Sequence, residues 1–138
     1  MNVYLDSSVI LRRLRREATP LPGWGAWKHA YASVLLRVET LRTIDRIRLS
    51  GAVDDAKVAD LMTRAREMFE VIEFVPLSAA ILARASQSFL TAIGTLDALH
   101  LSTALRLAEA GSMELTFLTH DAELAVAARS VNFAVEGI

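Results

Sequence analysis

Short apolar runs alternate with longer amphipathic stretches along almost the whole chain, and this alternation constrains the fold more than any single motif. Val3-Tyr4-Leu5, Ala30-Tyr31-Ala32 and residues 71–77, 115–118 and 132–135 read as strands. Their apolar residues run consecutively, as in strands buried on both faces. Between them lie helix-like stretches at 8–16, 33 to about 49 with Gly51 as the stop, 54–69, 78 to about 90, 95–111 and 121–129. In the third of these, Val58, Leu61, Met62, Ala65 and Phe69 trace one helical face. Ser33, Ser78 and Thr95 stand where a side chain can cap the next helix. Strands separated by helices pair in parallel, because each connection must cross the sheet. The expected fold class is α/β: a sandwich with a mostly parallel central sheet of about five strands and helices on both faces.

With 138 residues, 53% of them hydrophobic, the chain is expected to be one domain spanning 1–138 with ample core. The same composition excludes a disordered or collagen-like chain. The absence of cysteine excludes disulfides, thiolate metal sites and cysteine nucleophiles. A net charge of -1 argues against coating nucleic acid by bulk attraction, although residues 1–50 carry +5 and the remainder -6. Thirteen of the fifteen cations are Arg, which grips phosphate bidentately; an Arg-rich genome explains the excess equally well. An acid at position 6 interrupts any signal-like start, and no apolar run approaches the ~20 residues of a membrane span. A cytoplasmic protein without a membrane partner is the simplest reading.

In parallel sheets ligands bind beyond the carboxyl ends of the strands. Asp6 directly follows the first strand, and Asp121 follows the 115–118 strand through Thr119 and His120. Taken singly, each is explained as a cap. Asp97 lies in the first turn of the 95–111 helix, where an acid complements the helix dipole. Glu39 has Leu35, Leu36 and Thr43 as helical neighbours, so its carboxylate borders the apolar stripe. Such an acid is paired, protonated or bound to a cation, and an arginine one turn away is the plain alternative. Four acids on one edge would repel unless a divalent cation held them. Mg²⁺ suits that role, with Ser8 and Thr119 able to orient carboxylates.

At these residues the chain resembles the PIN-domain family. Val3-Tyr4-Leu5-Asp6-Ser7-Ser8 is similar to the family's opening strand and Asp, and Leu36-Arg37-Val38-Glu39 to its helical Glu motif. Leu96-Asp97-Ala98-Leu99-His100 resembles the third motif and Leu118-Thr119-His120-Asp121 the fourth. Within the family the length and the third motif look most like VapC-type toxins, Mg²⁺-dependent ribonucleases held inactive by a cognate antitoxin. The resemblance implies a PIN-like three-layer sandwich and an endoribonuclease acting on RNA. It carries over Asp6, Glu39, Asp97 and Asp121 as metal-binding and catalytic acids, with Ser8 and Thr119 as supporting groups. It also implies Mg²⁺ with Mn²⁺ as substitute, an antitoxin partner and a homodimer. Glu123 departs from it, since many relatives place a basic residue after the fourth acid.

Other readings stay open at this point. His100 and His120 invite a metal-free acid–base ribonuclease, although His100 can simply hydrogen-bond a carboxylate. A catalytically idle PIN-like module binding RNA or protein, and a housekeeping nuclease without an antitoxin, both keep the motifs. A phosphoryl-transfer enzyme with Asp6 as nucleophile would usually carry a second Asp where Ser8 stands. Trp24 and Trp27 can stack on bases, bind a partner or anchor the 19–27 turn region to the core. Arg12, Arg13, Arg15 and Arg16 can lead phosphates toward Asp6 or form a solvated face.

Overall fold

A computed structural model describes residues 1–15 and 23–138. The elements run β1 (Asn2–Leu5), α1 (Ser7–Arg15), β2 (His29–Ser33), α2 (Val34–Ser50), α3 (Asp55–Glu70), β3 (Glu73–Val75), α4 (Ala79–Ala85), α5 (Thr95–Gly111), β4 (Thr116–Leu118), α6 (Ala122–Ser130) and β5 (Ala134–Glu136). The five strands of the described residues form one sheet in the order β3-β2-β1-β4-β5, every pairing parallel. β1 is central: Tyr4 stands beside Tyr31 on one side and Phe117 on the other.

The pleat of β1 distributes its side chains to two cores. Val3 and Leu5 join Val9 and Ile10 of α1 and Leu36 of α2. Tyr4 joins Phe117, Leu101 of α5 and Leu124 of α6 on the opposite face. Both faces are therefore covered, which is why the run reads as continuously apolar. Leu14, Ile44, Leu61 and Ala65 join α1, α2 and α3 in a further cluster. The result is the three-layer α/β sandwich expected from the sequence, with a wholly parallel sheet.

Caps set the helix starts. Ser33 Oγ accepts from Leu35 N (3.1 Å), Asp54 Oδ1 from Lys57 N (2.8 Å) and Ser78 Oγ from Ile81 N (3.2 Å). α2 stops at Gly51, whose φ of 70° lies where a side chain would be strained. Ser33→Ala removes the cap where β2 passes into α2, and should lower stability by about 1 kcal/mol. A urea titration checks this through a lower midpoint at unchanged slope.

Several expected boundaries move. The helix opening at Ser78 ends at Ala85 rather than near Leu90. The Ser86 N–H turns back onto Leu82 and Ala83 carbonyls (both 3.2 Å), and its Oγ donates to Leu82 O (2.8 Å). Phe89 then packs into the Tyr4 cluster, whereas Leu90 is 82% exposed, so the apolar pair does not continue one stripe. Thr95 is the first residue of α5 and not its cap; Gly94 holds the cap position without a side-chain bond. β5 starts at Ala134 because Asn132, at φ 73°, belongs to the exit turn of α6, its N–H donating to Arg129 O.

Trp24 and Trp27 meet edge to face at 5.0 Å and pack against the Val3–Leu36 core, with the Arg13 guanidinium 4.4 Å from the Trp24 ring centroid. They anchor the stretch of chain that enters β2. Residues 19–22 of the expected turn region and Arg16, which closes the first expected helix and the arginine cluster, lie outside the described residues. Among the described residues no helix is long and apolar enough to cross a membrane.

The chain builds β2 and β3 on one side of β1, then returns to lay β4 and β5 on the other. The reversal opens a crevice beyond the carboxyl ends of β1 and β4, the usual ligand position in such sheets.

Candidate active site

Asp6 leaves β1 directly into this crevice and is only 5% exposed. Its N–H donates to Leu118 O (3.0 Å), tying the ends of β1 and β4 together. Its carboxylate is held through one oxygen. Oδ2 accepts from Ser8 Oγ (2.6 Å), Thr119 Oγ1 (2.9 Å) and Ser8 N (3.3 Å). Ser8 and Thr119 thus sit where the sequence places them, as donors that orient this acid.

Glu39 reaches the crevice from α2, and it too is held through one oxygen. Oε1 accepts from Ser7 Oγ (2.8 Å) and His100 Nε2 (2.6 Å). The two arginines nearest it on α2 are engaged elsewhere: Arg37 lies over Phe74 (4.6 Å) and Arg42 binds Asp45 (3.3 Å). His100 is 1% exposed, and its Nδ1 meets Tyr4 OH (3.1 Å), whose oxygen accepts the Ser33 N–H (3.2 Å). Burial by itself would raise the Glu39 carboxyl; the hydrogen bond and charge of His100, with Ser7, outweigh it and hold the group below its ordinary range. Burial would likewise lower the His100 imidazole, but Glu39, Asp6 and Asp97 together raise it.

Asp121 is the cap of α6, as one reading of the sequence allowed: Oδ1 accepts from Glu123 N (2.9 Å) and Leu124 N (3.1 Å). Its own N–H donates to Thr119 Oγ1 (3.0 Å), which links it to the group holding Asp6. Asp97 stands in the first turn of α5. Its carboxyl is pushed up to about 6, first by burial, then by the charges of Asp121, Asp6 and Glu39 against a smaller opposing effect of His100. Like charges disfavour ionisation, so Asp97 feels the other three acids, Asp121 first.

Thr119 links Asp6 to Asp121, Ser7 and His100 hold Glu39, and Asp97 feels the charges of the other three. Those three are tethered through a single oxygen, and no arginine or lysine figures among the groups that perturb the fourth. Among the described residues no three Asp, Glu or His side chains are placed closely enough to enclose an ion. The donor chemistry nevertheless fits an oxygen-seeking dication: carboxylates only, with one oxygen of each tethered acid left over, and surplus negative charge at Asp97.

The sequence undervalues His100. Its partners are 61 and 96 residues away in the chain, and spacing within α5 carries no sign of either. The two-histidine alternative finds no support in the geometry. His100 is sealed from solvent with both ring nitrogens engaged, and His120 Nδ1–H donates to Gly137 O (2.6 Å). Glu123, the extra acid after Asp121, is exposed.

Comparison with known proteins gives concordant results. The PIN domain family model matches residues 3–130. Ribonuclease VapC47 from Mycobacterium tuberculosis is 29% identical over 139 residues, covering 95% of this chain and 93% of that protein. The crystal structure of VapBC2 from Rickettsia felis bound to a promoter DNA fragment superposes with a TM-score of 0.66 at 14% identity, over 99% of this chain and 98% of the other. A toxin–antitoxin complex from Klebsiella pneumoniae gives 0.57 at 16% identity, over 89% and 90%. At those identities the two structures speak for the fold.

Proposed function

The chain belongs to the PIN-domain family, and from that premise we propose that it is a divalent-metal-dependent endoribonuclease, the toxin of a toxin–antitoxin pair. The carrying observation is the crevice in which Asp97 is pressed by Asp6, Glu39 and Asp121. The likeness to a mycobacterial ribonuclease over nearly the whole chain supports the RNA substrate, and the toxin–antitoxin fold neighbours support the partner. The reading treats residues 1–138 as one PIN-like domain, with Mg²⁺, or Mn²⁺ in its place, as cofactor.

In this reading Asp6, Glu39, Asp97 and Asp121 hold the ion. When bound, it supplies an activated water and neutralises charge developing on the scissile phosphate. The protein's part is positioning. Ser8 and Thr119 fix Asp6, Ser7 and His100 fix Glu39, and the amides opening α6 fix Asp121. Each tether occupies one oxygen, and the other is the one this reading gives to the ion. An attack by water leaves a 5′-phosphate and a 3′-hydroxyl without using the 2′-hydroxyl, so RNA preference comes from shape and contacts. The antitoxin silences the crevice by bringing a cation, a guanidinium by preference, to the same carboxylates.

The test has a chemical and a cellular arm. Purified protein with Mg²⁺ or Mn²⁺ should cut RNA to 5′-phosphate ends; a 2′,3′-cyclic phosphate contradicts the mechanism. Expression alone should arrest growth, and co-expression of the adjacent small reading frame should relieve it. An active enzyme whose expression is harmless is a housekeeping nuclease without an antitoxin. Sedimentation of the purified protein should show a homodimer.

A further inference from the structure

Glu39 and His100 are joined by the shortest hydrogen bond among the four acids and their partners other than Ser8 to Asp6, at the same 2.6 Å. The contact is buried on the His100 side and partly exposed on the Glu39 side, spans two helices, and continues through Tyr4 to the backbone of Ser33, the cap of the helix that carries Glu39. A closed path thus runs from the start of α2 through Tyr4 of β1 and His100 of α5 back to α2. We propose that His100 is a positioning residue for the acid crevice: its Nε2–H pins Glu39 Oε1, so that Oε2 is the oxygen Glu39 offers to a cation.

The direction of the bond follows from donor and acceptor inventory and holds in both protonation states of the imidazole. A carboxylate accepts only, so Nε2 carries the hydrogen shared with Glu39. Burial keeps the Tyr4 phenol protonated, and its oxygen already accepts from Ser33 N–H. In the neutral ring Nδ1 takes the phenol hydrogen; in the charged ring Nδ1–H donates to the phenol oxygen. Nε2 points a hydrogen at Glu39 either way. Ser7 Oγ donates to the same Oε1 from the first turn of α1. Two donors from two different helices fix both the position and the rotation of the carboxylate, whereas one would leave it free to pivot. Groups that orient a metal-binding carboxylate from behind typically change metal affinity by about 10–100-fold when removed.

The inference rests on reading the crevice as a cation site, and the experiment separates the two. Mn²⁺ binding is measured by titration calorimetry on wild type, Asp6→Asn, His100→Leu, His100→Gln and Glu39→Gln, with RNA cleavage and melting curves alongside. His100→Leu keeps bulk and loses the donor; His100→Gln keeps a donor near the Nε2 position. The expected result is a Mn²⁺ dissociation constant raised about tenfold or more in His100→Leu, restored to within about threefold by Gln. Combined with Glu39→Gln, His100→Leu should add no further loss, since its effect passes through Glu39. Unchanged Mn²⁺ affinity in His100→Leu, or additive losses in the double variant, overturns the positioning role while leaving the cation site standing. Asp6→Asn binding Mn²⁺ as wild type does overturns the cation site itself. If His100→Leu fails to fold, His100→Asn decides instead: it keeps a polar group toward Tyr4 but is too short to reach Oε1, so it must weaken Mn²⁺ binding as expected for Leu, and wild-type binding refutes the role.

Discussion

Asp6→Asn should lose metal-dependent RNA cleavage by ~10³-fold or more, the several kcal/mol that a correctly held dication contributes to the transition state, yet keep its fold. Both halves of the expectation come from the one-oxygen tether. The three donors on Oδ2, from Ser8 and Thr119, will accept an amide oxygen in its place, so the end of β1 stays moored to β4. The amide then turns its NH₂ into the crevice, a donor where a cation needs an acceptor. EDTA should reduce wild type to the level of the variant, and Mg²⁺ or Mn²⁺ should restore only wild type. Cleavage that persists in EDTA, or an Asp6→Asn enzyme within tenfold of wild type, removes the dication from the mechanism.

Asp97→Asn should abolish cleavage as well, while making the metal-free protein more stable at neutral pH. The folded carboxyl sits at about 6, above its ordinary 3.8, so the folded state binds the proton more tightly than the unfolded chain. Folding is favoured by this group below about pH 4, and the advantage is lost as pH climbs through 6. Because the group is only half-buried, solvent screening reduces the effect at pH 7 to about 1–2 kcal/mol. A lost charge at the start of α5 takes back part of it, about 0.3–1 kcal/mol. Two neighbours titrate in other windows. Glu39, held low, contributes stability above its ordinary 4.5 that is lost as pH falls through its folded value. His100, held high, contributes below its ordinary 6.5 and loses that as pH rises through its folded value. The difference between wild-type and Asp97→Asn melts in EDTA should therefore develop mainly between pH 4 and 6. Saturating Mg²⁺ should erase the difference by stabilising wild type, by about 2.7 kcal/mol at a hundred times its dissociation constant. An Asp97→Asn protein that melts below wild type throughout, with neither curve moved by Mg²⁺, shows Asp97 to be a helix-start residue alone.

Much of the frame was legible because its signals are local. Val3-Tyr4-Leu5 is apolar on consecutive residues since both faces of β1 are covered, and Ser33, Asp54, Ser78 and Asp121 announce helix starts through their own side chains. The positions of Asp6 and Asp121 followed from the same signals, because a parallel sheet delivers the ends of β1 and β4 to one edge. Sequence spacing could not show pairing across the fold. Glu39 invited an arginine one turn away and found His100 of another helix. Phe89 and Leu90 read as prolonging a helical stripe, but Phe89 is bound into the core by residues elsewhere in the chain. Thr95 and Gly94 are equally plausible caps by type, and only the backbone path chose between them.

The strand order carries one more consequence, concerning time. β1 is made first but lies in the middle of the sheet, and β4, which covers its second edge, comes after α5. During synthesis the first acid therefore waits, with Ser8 as its one side-chain donor, for Thr119, and the last acid comes only two residues later at Asp121. No early fragment can hold the four carboxylates together. On the proposed function, a ribonuclease assembled in this order would have nothing to turn on the message being translated until β4 has emerged from the ribosome and paired with β1.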